Sequence, residues 1–559
     1  MALAKMFYIF LAIFIACGLQ LIVADDKIHT VSVAFDEETA RYTFHDGYLQ
    51  SGRIAEAEFQ DLRLTYGLTF LTVSTNESYP DHVQAYAAGL AEGYITREIT
   101  RQHWNNTIAG YCDMDSPSDY CKRLHNYLEL NVNGFVNQAI IAHGGTDPYW
   151  HQVELFLTQV NGFQDGHENT PTVPTFLVRP FGALMFQISG DLEDLEVALN
   201  KTESERKRIF GSGSCSALIK LLPGNKELFV SQDTWNGYNS MLRIMKRYLF
   251  GYHMLAAPGS PLIPGNEMLF SSYPGYLFSG DDFYIVGSGL VVQETTIGNS
   301  NPDLNKYIQP ENTVLEGIRN QVANRLATDG ASWARIFQDY NSGTYNNEWM
   351  IVDYNKFTPG QAELSKGLLT VLEQLPGMIV WDDVTPILAK QTYWASYNSP
   401  YFPKIFNASG TQALVDKYGD WFTYDNTPRA KIFRRDHVKV TDIKSMQKLM
   451  RYNDFQNDPL SKCNCTPPYS AENAISARSD LNPANGTYPF SALGHRSHGG
   501  TDCKITSLAL YKQFMMEVVS GPTHDDQKPF SWSTADFADS VPHEGHPDTF
   551  DFGPVQTNW

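Results

Sequence analysis

The sequence of 559 residues has few basic side chains and few cysteines. It carries 42 Lys and Arg against 62 Asp and Glu, so its formal net charge is −20. This balance argues against a nucleic-acid partner, which requires clustered cations. Nucleophile-elbow, His-Glu-x-x-His and phosphate-loop motifs are missing, and no repeat or low-complexity tract occurs. We therefore expect a globular protein that uses neither a metal nor a cofactor.

After the N-terminus, no apolar run is long enough to span a bilayer. The N-terminus itself has the pattern of a signal peptide covering residues 1–24. Lys5 supplies the positive charge, Met6–Cys17 is almost wholly apolar, and Ala24 ends a small-residue cleavage site before Asp25. An uncleaved membrane anchor is the alternative interpretation.

Asn-x-Ser/Thr acceptor sites follow this segment along the chain. Behind a signal peptide they predict a lysosomal or secreted glycoprotein. The predicted glycosylation sites are Asn76, Asn105, Asn200, Asn407, Asn464 and Asn485.

The cysteines predict two disulfides. Cys112 and Cys121 flank a short polar loop and are expected to pair. The C-terminal part holds three more: Cys463, Cys465 and Cys503. We expect one disulfide involving Cys463 or Cys465, with Cys503 as the favoured partner, because a direct bridge across Cys-Asn-Cys closes a very small ring. The remaining thiol stays free unless Cys215 is its partner.

The central stretch, residues 211–220, runs from Gly and Ser into Cys215 and then into an apolar segment. Pro223-Gly224-Asn225 and a second apolar run follow, which together predict a β-hairpin. Cutting the Ser214–Cys215 bond would leave Cys215 with a free α-amine that can accept its thiol proton. Residues 192–214 form the predicted exposed, cleavable linker. A buried structural cysteine is the alternative interpretation.

Periodicity elsewhere predicts strands alternating with helices. The predicted strands are 70–74, 283–286, 290–292, 349–353 and 377–381, and the predicted helices are 82–99, 124–142, 236–250 and 313–326. Hairpins interleaved with amphipathic helices indicate an α+β protein with antiparallel sheets covered by helices.

Two other groups of residues have weaker catalytic patterns. Asp281 and Asp282 precede a strand, but a paired-acid mechanism needs a partner that the sequence does not identify. His498 and Asp502 lie near Cys503, which would be the nucleophile of a thiol protease. A polar loop is the simpler interpretation of this second group.

Several motifs resemble the phospholipase B-like family, from about residue 30 to Trp559. They are Cys215–Lys220, Ser271–Gly275, Asp281–Tyr284, Asn341–Asn347 and Ala474–Pro483. The resemblance implies the αββα sandwich of N-terminal-nucleophile hydrolases, two antiparallel sheets covered by helices. It also implies an N-terminal fragment, 25–214, and a C-terminal fragment, 215–559, that together form one lysosomal catalytic domain.

The same resemblance directs attention to the site residues. Cys215 would be the nucleophile and its α-amine the base, with Thr234 returned beside it by antiparallel pairing to orient the amine. The alternative is that Asp233 and Thr234 only end the strand. Oxyanion donors are predicted at Asn346 and Asn347, with ordinary turn residues as the alternative interpretation. The predicted substrate-binding residues are Asp233, Trp235 and Arg478. For Arg478, an internal salt bridge is the equal alternative.

One position departs from the family pattern: relatives often carry histidine where this chain has Gln232. Glutamine cannot titrate, so any acid–base role there is lost. The function expected is an acyl hydrolase that removes fatty acyl chains from phospholipids, with an N-acyl amide substrate left open. The alternative is a weakly active or inactive lysosomal or secreted glycoprotein with a binding or developmental role.

Overall fold

The computed structural model describes residues 27–558 apart from 37, 40, 114, 203–205 and 207–213. The predicted signal peptide and residues 203–205 and 207–213 of the predicted linker therefore lie outside the described residues. In the part that is described, no helix has the length and apolar character needed to cross a membrane.

The described strands are numbered β1 to β19 in chain order. They are β1 His29–Asp36, β2 Arg41–Asp46, β3 Arg53–Leu62, β4 Leu68–Thr75, β5 Cys215–Leu221, β6 Leu228–Gly237, β7 Arg243–Leu249, β8 Glu267–Ser272, β9 Phe283–Val286, β10 Leu290–Thr296, β11 Asn347–Asp353, β12 Leu369–Leu375, β13 Met378–Asp383, β14 Tyr393–Ser396, β15 His498–Ser507, β16 Glu517–Ser520, β17 Phe530–Ser531, β18 Thr549–Phe550 and β19 Val555–Gln556.

The helices lie mostly between these strands. Their bounds are Arg63–Tyr66, Asp81–Ile95, Arg97–Thr107, Asp119–Leu128, Asn137–His143, Pro148–Glu168, Leu184–Gln187, Asp191–Ala198, Glu316–Leu326, Gly330–Gln338, Thr385–Gln391, Pro403–Ala408, Thr411–Tyr418, Pro428–Asp436, Ile443–Met450 and Leu508–Tyr511. A π-helical stretch, Glu129–Val136, joins the fourth and fifth of them.

The strands form two large sheets. The first has 11 strands in the order β13-β12-β11-β10-β9-β8-β7-β4-β3-β1-β2, and the second has six in the order β14-β5-β6-β15-β16-β19. The small β17–β18 pair stands apart from both. Pairing in the large sheets is antiparallel except between β4 and β7, which run parallel.

The two sheets pack face to face and carry helices on their outer faces. An apolar core of side chains such as Met245 and Ile219 fills the space between the sheets. Tyr248 faces the opposite way, into the core beneath the helices Asp81–Ile95 and Pro148–Glu168. Ile505 of the second sheet packs with the helices Pro428–Asp436 and Ile443–Met450. The predicted αββα sandwich is thus confirmed.

The helix predicted for residues 236–250 is wrong, because residues 243–249 form strand β7 and residues 236–237 end strand β6. The strand is central and buried on both faces, so its apolar residues do not alternate with exposed polar ones. Arg243 and Lys246 are fully buried within it. The predicted linker also needs correction, since Asp191–Ala198 is a helix that buries Leu195.

Both predicted disulfides are present, but the favoured partner in the second one is wrong. Cys112 and Cys121 are bridged, and Cys463 pairs with Cys465 across a Cα–Cα distance of 5.3 Å. The assignment of Cys503 as a partner is wrong, because it is a free, buried thiol of strand β15. It packs in the core of the second sheet, whereas Cys463 packs against a separate aromatic cluster.

Candidate active site

Cys215 is the first residue of β5 and lies at the wall of a cavity of about 490 Å³. The hairpin register pairs it with Thr234, as the sequence predicts. Its thiol is the donor in a contact of 3.9 Å to the Glu294 Oε1 atom on β10. Burial raises the pKa of this thiol well above its ordinary value, and the Glu294 carboxyl raises it further. In the uncut chain the thiol is therefore protonated.

The peptide bond before Cys215 is held from both sides. The backbone N–H of Trp235 donates to the carbonyl oxygen of Ser214 at 2.6 Å. The side-chain oxygen of Asn398 accepts from the N–H of Ser214 at 3.1 Å and from that of Cys215 at 3.4 Å. This bond is thus fixed within an arrangement of donors and acceptors.

Arg429 supports the same strand from the helix layer. Its guanidinium donates to the Cys215 carbonyl oxygen at 2.6 Å and to the Asn398 side-chain oxygen at 2.8 Å. It also lies over the Trp235 ring, 4.3 Å from the centroid. A second cavity of about 300 Å³ lies beside Asn398 and Arg429 and shares Thr296 with the first.

Behind Thr234 lies a buried network of four charged residues, which we call the charge quartet: Arg243, Asp281, Asp502 and Lys504. The Lys504 ammonium donates to Asp281 and to Asp502, each at 2.8 Å, and to the Thr234 hydroxyl at 2.5 Å. Arg243 donates to the same two carboxylates. The Thr234 hydroxyl in turn donates to Asp281 at 2.8 Å. The N–H of Cys215 lies outside this network and donates to the Asn398 side chain.

Gln232 lies to one side of the charge quartet and does not line the cavity at Cys215. Its side-chain amide donates to the backbone oxygens of Asp281 and Glu294, each at 2.7 Å, and more weakly to that of Asp282. These bonds connect β6 to the backbone of Asp281, before β9, and to that of Glu294, on β10.

Of the predicted substrate-binding residues, the structure brings Trp235 to the cavity but not Asp233 or Arg478. Strand alternation turns Asp233 to the opposite face from Thr234, where it pairs with Cys503 in the register. Burial raises the pKa of Asp233 well above its ordinary value. Arg478 is 1% exposed and donates to Asp480, Thr523 and Lys528, so its head-group assignment is corrected to an internal salt bridge.

The predicted oxyanion donors are also not among the described residues that line the cavity. Asn346 donates its amide to Asp194 and to the Gly343 carbonyl oxygen. Asn347 begins β11, is fully buried, and pairs with Thr296 in the register. Asn347 lies on β11, which pairs with β10, and Asn346 lies in the loop before β11. Neither residue lines the cavity at Cys215.

The remaining predicted sites have varied surroundings. His498 lines the cavity, but Cys503 points into the core of the second sheet, so the thiol-protease arrangement does not form.

The predicted acceptor asparagines are exposed apart from Asn76, which is partly buried, so their glycosylation stays a prediction. Glu294, Asn398 and Arg429 were missed, since no local pattern marks them.

The protein has a four-layer αββα fold, and a buried cysteine, Cys215, begins one of its inner strands. Residues 55–557 match the Phospholipase B family, and the chain belongs to that family. It is 53% identical over 532 residues to the Bos taurus protein named "Putative phospholipase B-like 2", covering 94% of this chain and 89% of that protein. The Mus musculus protein of the same name is 52% identical, covering 95% and 89%.

Among solved structures, the chain is similar to a C2A mutant of the conjugated bile acid hydrolase from Clostridium perfringens. The TM-score is 0.30 at 10% identity, over 55% of this chain and 89% of that one. Membership of the Phospholipase B family supports a hydrolase.

Proposed function

We propose that this protein is an acyl hydrolase that cuts its own Ser214–Cys215 bond and then uses Cys215 as an N-terminal nucleophile. The observation that carries the proposal is the placement of this bond. Its cysteine opens an inner strand at the cavity wall, and its carbonyl oxygen already accepts a hydrogen bond from the Trp235 N–H. A donor at this position stabilises the negative charge that develops when a thiol attacks.

After the cut, the α-amine of Cys215 takes the thiol proton. An α-amine has an ordinary pKa of about 7.7–8.0, which is too high for an acidic compartment. Burial and the positive Arg429 guanidinium beside Cys215 both disfavour the ammonium form and lower this pKa. Asn398 and Thr234 are the proposed orienting groups for the amine. We therefore expect turnover in mildly acidic conditions.

The proposed substrate is a phospholipid ester, as the family name indicates, with N-acyl amides as the second class. The two cavities, whose walls share Glu193 and Thr296, would offer separate space for an acyl group and for a leaving group. Proposed residence is lysosomal or secreted, through the signal peptide and glycosylation that the sequence predicts.

The test starts with wild-type chain and Cys215→Ala, both expressed in full and purified. We expect the wild-type chain to yield a fragment beginning at Cys215 and the variant to stay uncut, as read by N-terminal sequencing. The cut protein is then assayed against phospholipids and N-acyl amides. Cutting of Cys215→Ala at the same bond in a protease-free preparation would remove self-cleavage. A cut wild-type protein no more active than the variant would indicate a binding role instead.

A further inference from the structure

Self-cleavage poses a problem that the mature enzyme does not have. Before the cut, the nitrogen of Cys215 is an amide, which has no basic lone pair to accept the thiol proton. We infer that Glu294 is the catalytic base of self-cleavage, and that it then acts as the acid that protonates the departing nitrogen. This inference rests on the proposed function.

The geometry places Glu294 at the reacting atom. Its side chain is fully buried on β10 and lines the cavity, with Oε1 3.9 Å from the Cys215 sulfur. The other oxygen, Oε2, accepts from the Thr296 hydroxyl at 3.4 Å. One carboxyl oxygen is thus held while the other faces the thiol.

The bond to be cut is also held in place by hydrogen bonds. The Trp235 N–H contacts the Ser214 carbonyl oxygen, where the negative charge forms. Asn398 holds the N–H groups of Ser214 and Cys215. Base, nucleophile and oxyanion donor are therefore assembled in the uncut chain.

The reaction balances without another reagent except water. The thiol proton passes to Oε1 of Glu294 as sulfur bonds to the Ser214 carbonyl carbon and the carbonyl electron pair moves to oxygen. The carbon–nitrogen bond then breaks, and Glu294 returns the proton to the Cys215 nitrogen. This leaves a thioester and a free α-amine. Water hydrolyses the thioester, which frees the thiol and leaves a Ser214 carboxylate.

The surroundings of Glu294 suit a proton acceptor for a weakly acidic thiol. Charged or titratable groups facing it from the packed elements are Cys215 on β5, Asp281 and Asp282 before β9, Tyr345 before β11 and Lys504 on β15. Burial, followed by Asp282 and Asp281, raises the pKa of Glu294 well above its ordinary value, while Lys504 lowers it. A carboxylate of raised pKa is a stronger base, so the transfer from the thiol is less unfavourable.

The sign of the pH effect follows from the same shift. Glu294 accepts a proton only when it is ionised. The cleavage rate should therefore rise with pH through the raised pKa of this carboxyl and become independent of pH above it.

The experiment compares uncut full-length precursors of wild type, Glu294→Gln, Glu294→Ala and the control Glu316→Gln from pH ~4.5 to ~8. Glu316 is a buried carboxyl near Asp282 whose pKa is also raised by burial, but it is not a described neighbour of the Cys215 sulfur. We expect Glu294→Gln to slow cutting by about 100-fold or more and to remove the rise with pH. Glu316→Gln should stay within about threefold of wild type.

Formate provides a readout that a structural role would not move. Glu294→Ala leaves space for a small carboxylate beside the thiol, so added formate should accelerate its cutting. Thermal melting establishes that each variant is folded. A Glu294→Gln rate equal to wild type, or a cooperatively melting Glu294→Ala that formate does not accelerate, would overturn the inference. A wild-type precursor that never cuts would instead refute the proposed function itself.

Discussion

Removing Lys504 from the charge quartet should destabilise the protein strongly. Lys504, Arg243, Asp281 and Asp502 are all at most 2% exposed, and their formal charges cancel. Lys504→Met keeps much of the side-chain volume but leaves one net negative charge without a partner. Breaking a buried ion pair in this way costs about 3–5 kcal/mol. We expect a loss of this size in the free energy of unfolding at pH ~7.5.

The loss should shrink as the pH falls. In the intact quartet, burial acts to raise the pKa of Asp281, but Arg243 and Lys504 outweigh it and hold the pKa below its ordinary value. A depressed carboxyl pKa stabilises the fold above the unfolded-state value, and that contribution disappears as the pH falls. In the variant, burial dominates, so one carboxyl takes up a proton and the unpaired charge disappears at acid pH.

The measurement is urea unfolding at pH ~7.5 and ~5, followed by tryptophan fluorescence. Both proteins carry Cys215→Ala so that each is a single uncut chain. Lys226→Met, at an exposed lysine, is the matched control and should stay within about 0.5 kcal/mol. A loss below about 1 kcal/mol for Lys504→Met, or an equal loss at both pH values, would refute the reasoning.

Two further changes test other parts of the structure. The Gln232 amide donates to the backbone oxygens of Asp281 and Glu294, whereas the neutral histidine of Gln232→His offers only one N–H. Urea unfolding at pH ~7.5 should therefore show a loss of about 1 kcal/mol in the free energy of unfolding. Unchanged stability would mean that these contacts contribute nothing. Gly89→Ala would place a Cβ 2.1 Å from a carbonyl oxygen of the facing helix, which should cost about 3 kcal/mol, whereas Gly145→Ala meets nothing within 4 Å and serves as the control. Equal melting temperatures for these two variants would contradict the close helix packing.

The sequence predicts the hairpin of the site well because its signals are local. Two apolar runs around Pro223-Gly224-Asn225 specify β5 and β6, and their register brings Thr234 to Cys215. The layer arrangement follows from the same alternation of hairpins and helices. Strand β7 was misjudged because buried polar side chains such as Arg243 interrupt its apolar pattern.

The rest of the site depends on contacts between distant parts of the chain. Glu294 is 79 residues from Cys215, Asn398 is 183 residues away and Arg429 is 214 residues away. Each sits in a segment whose own sequence is explained by a strand, a turn or a helix. Only the packing of the two sheets and the helix layer brings these three side chains to Cys215, so no spacing rule in the sequence could identify them.

The parallel pairing of β4 with β7 decides what happens to the two pieces of a cut chain. Leu68–Ser74 and Arg243–Leu249 are hydrogen-bonded neighbours in the middle of the large sheet, and the Ser214–Cys215 bond lies between them in the chain. The first piece therefore supplies four strands of a sheet that the second piece continues. Separating the pieces would expose the edges of both strands and the apolar layers on either side. We expect a permanent one-to-one assembly in which dissociation and unfolding are the same event, so that dilution releases neither piece.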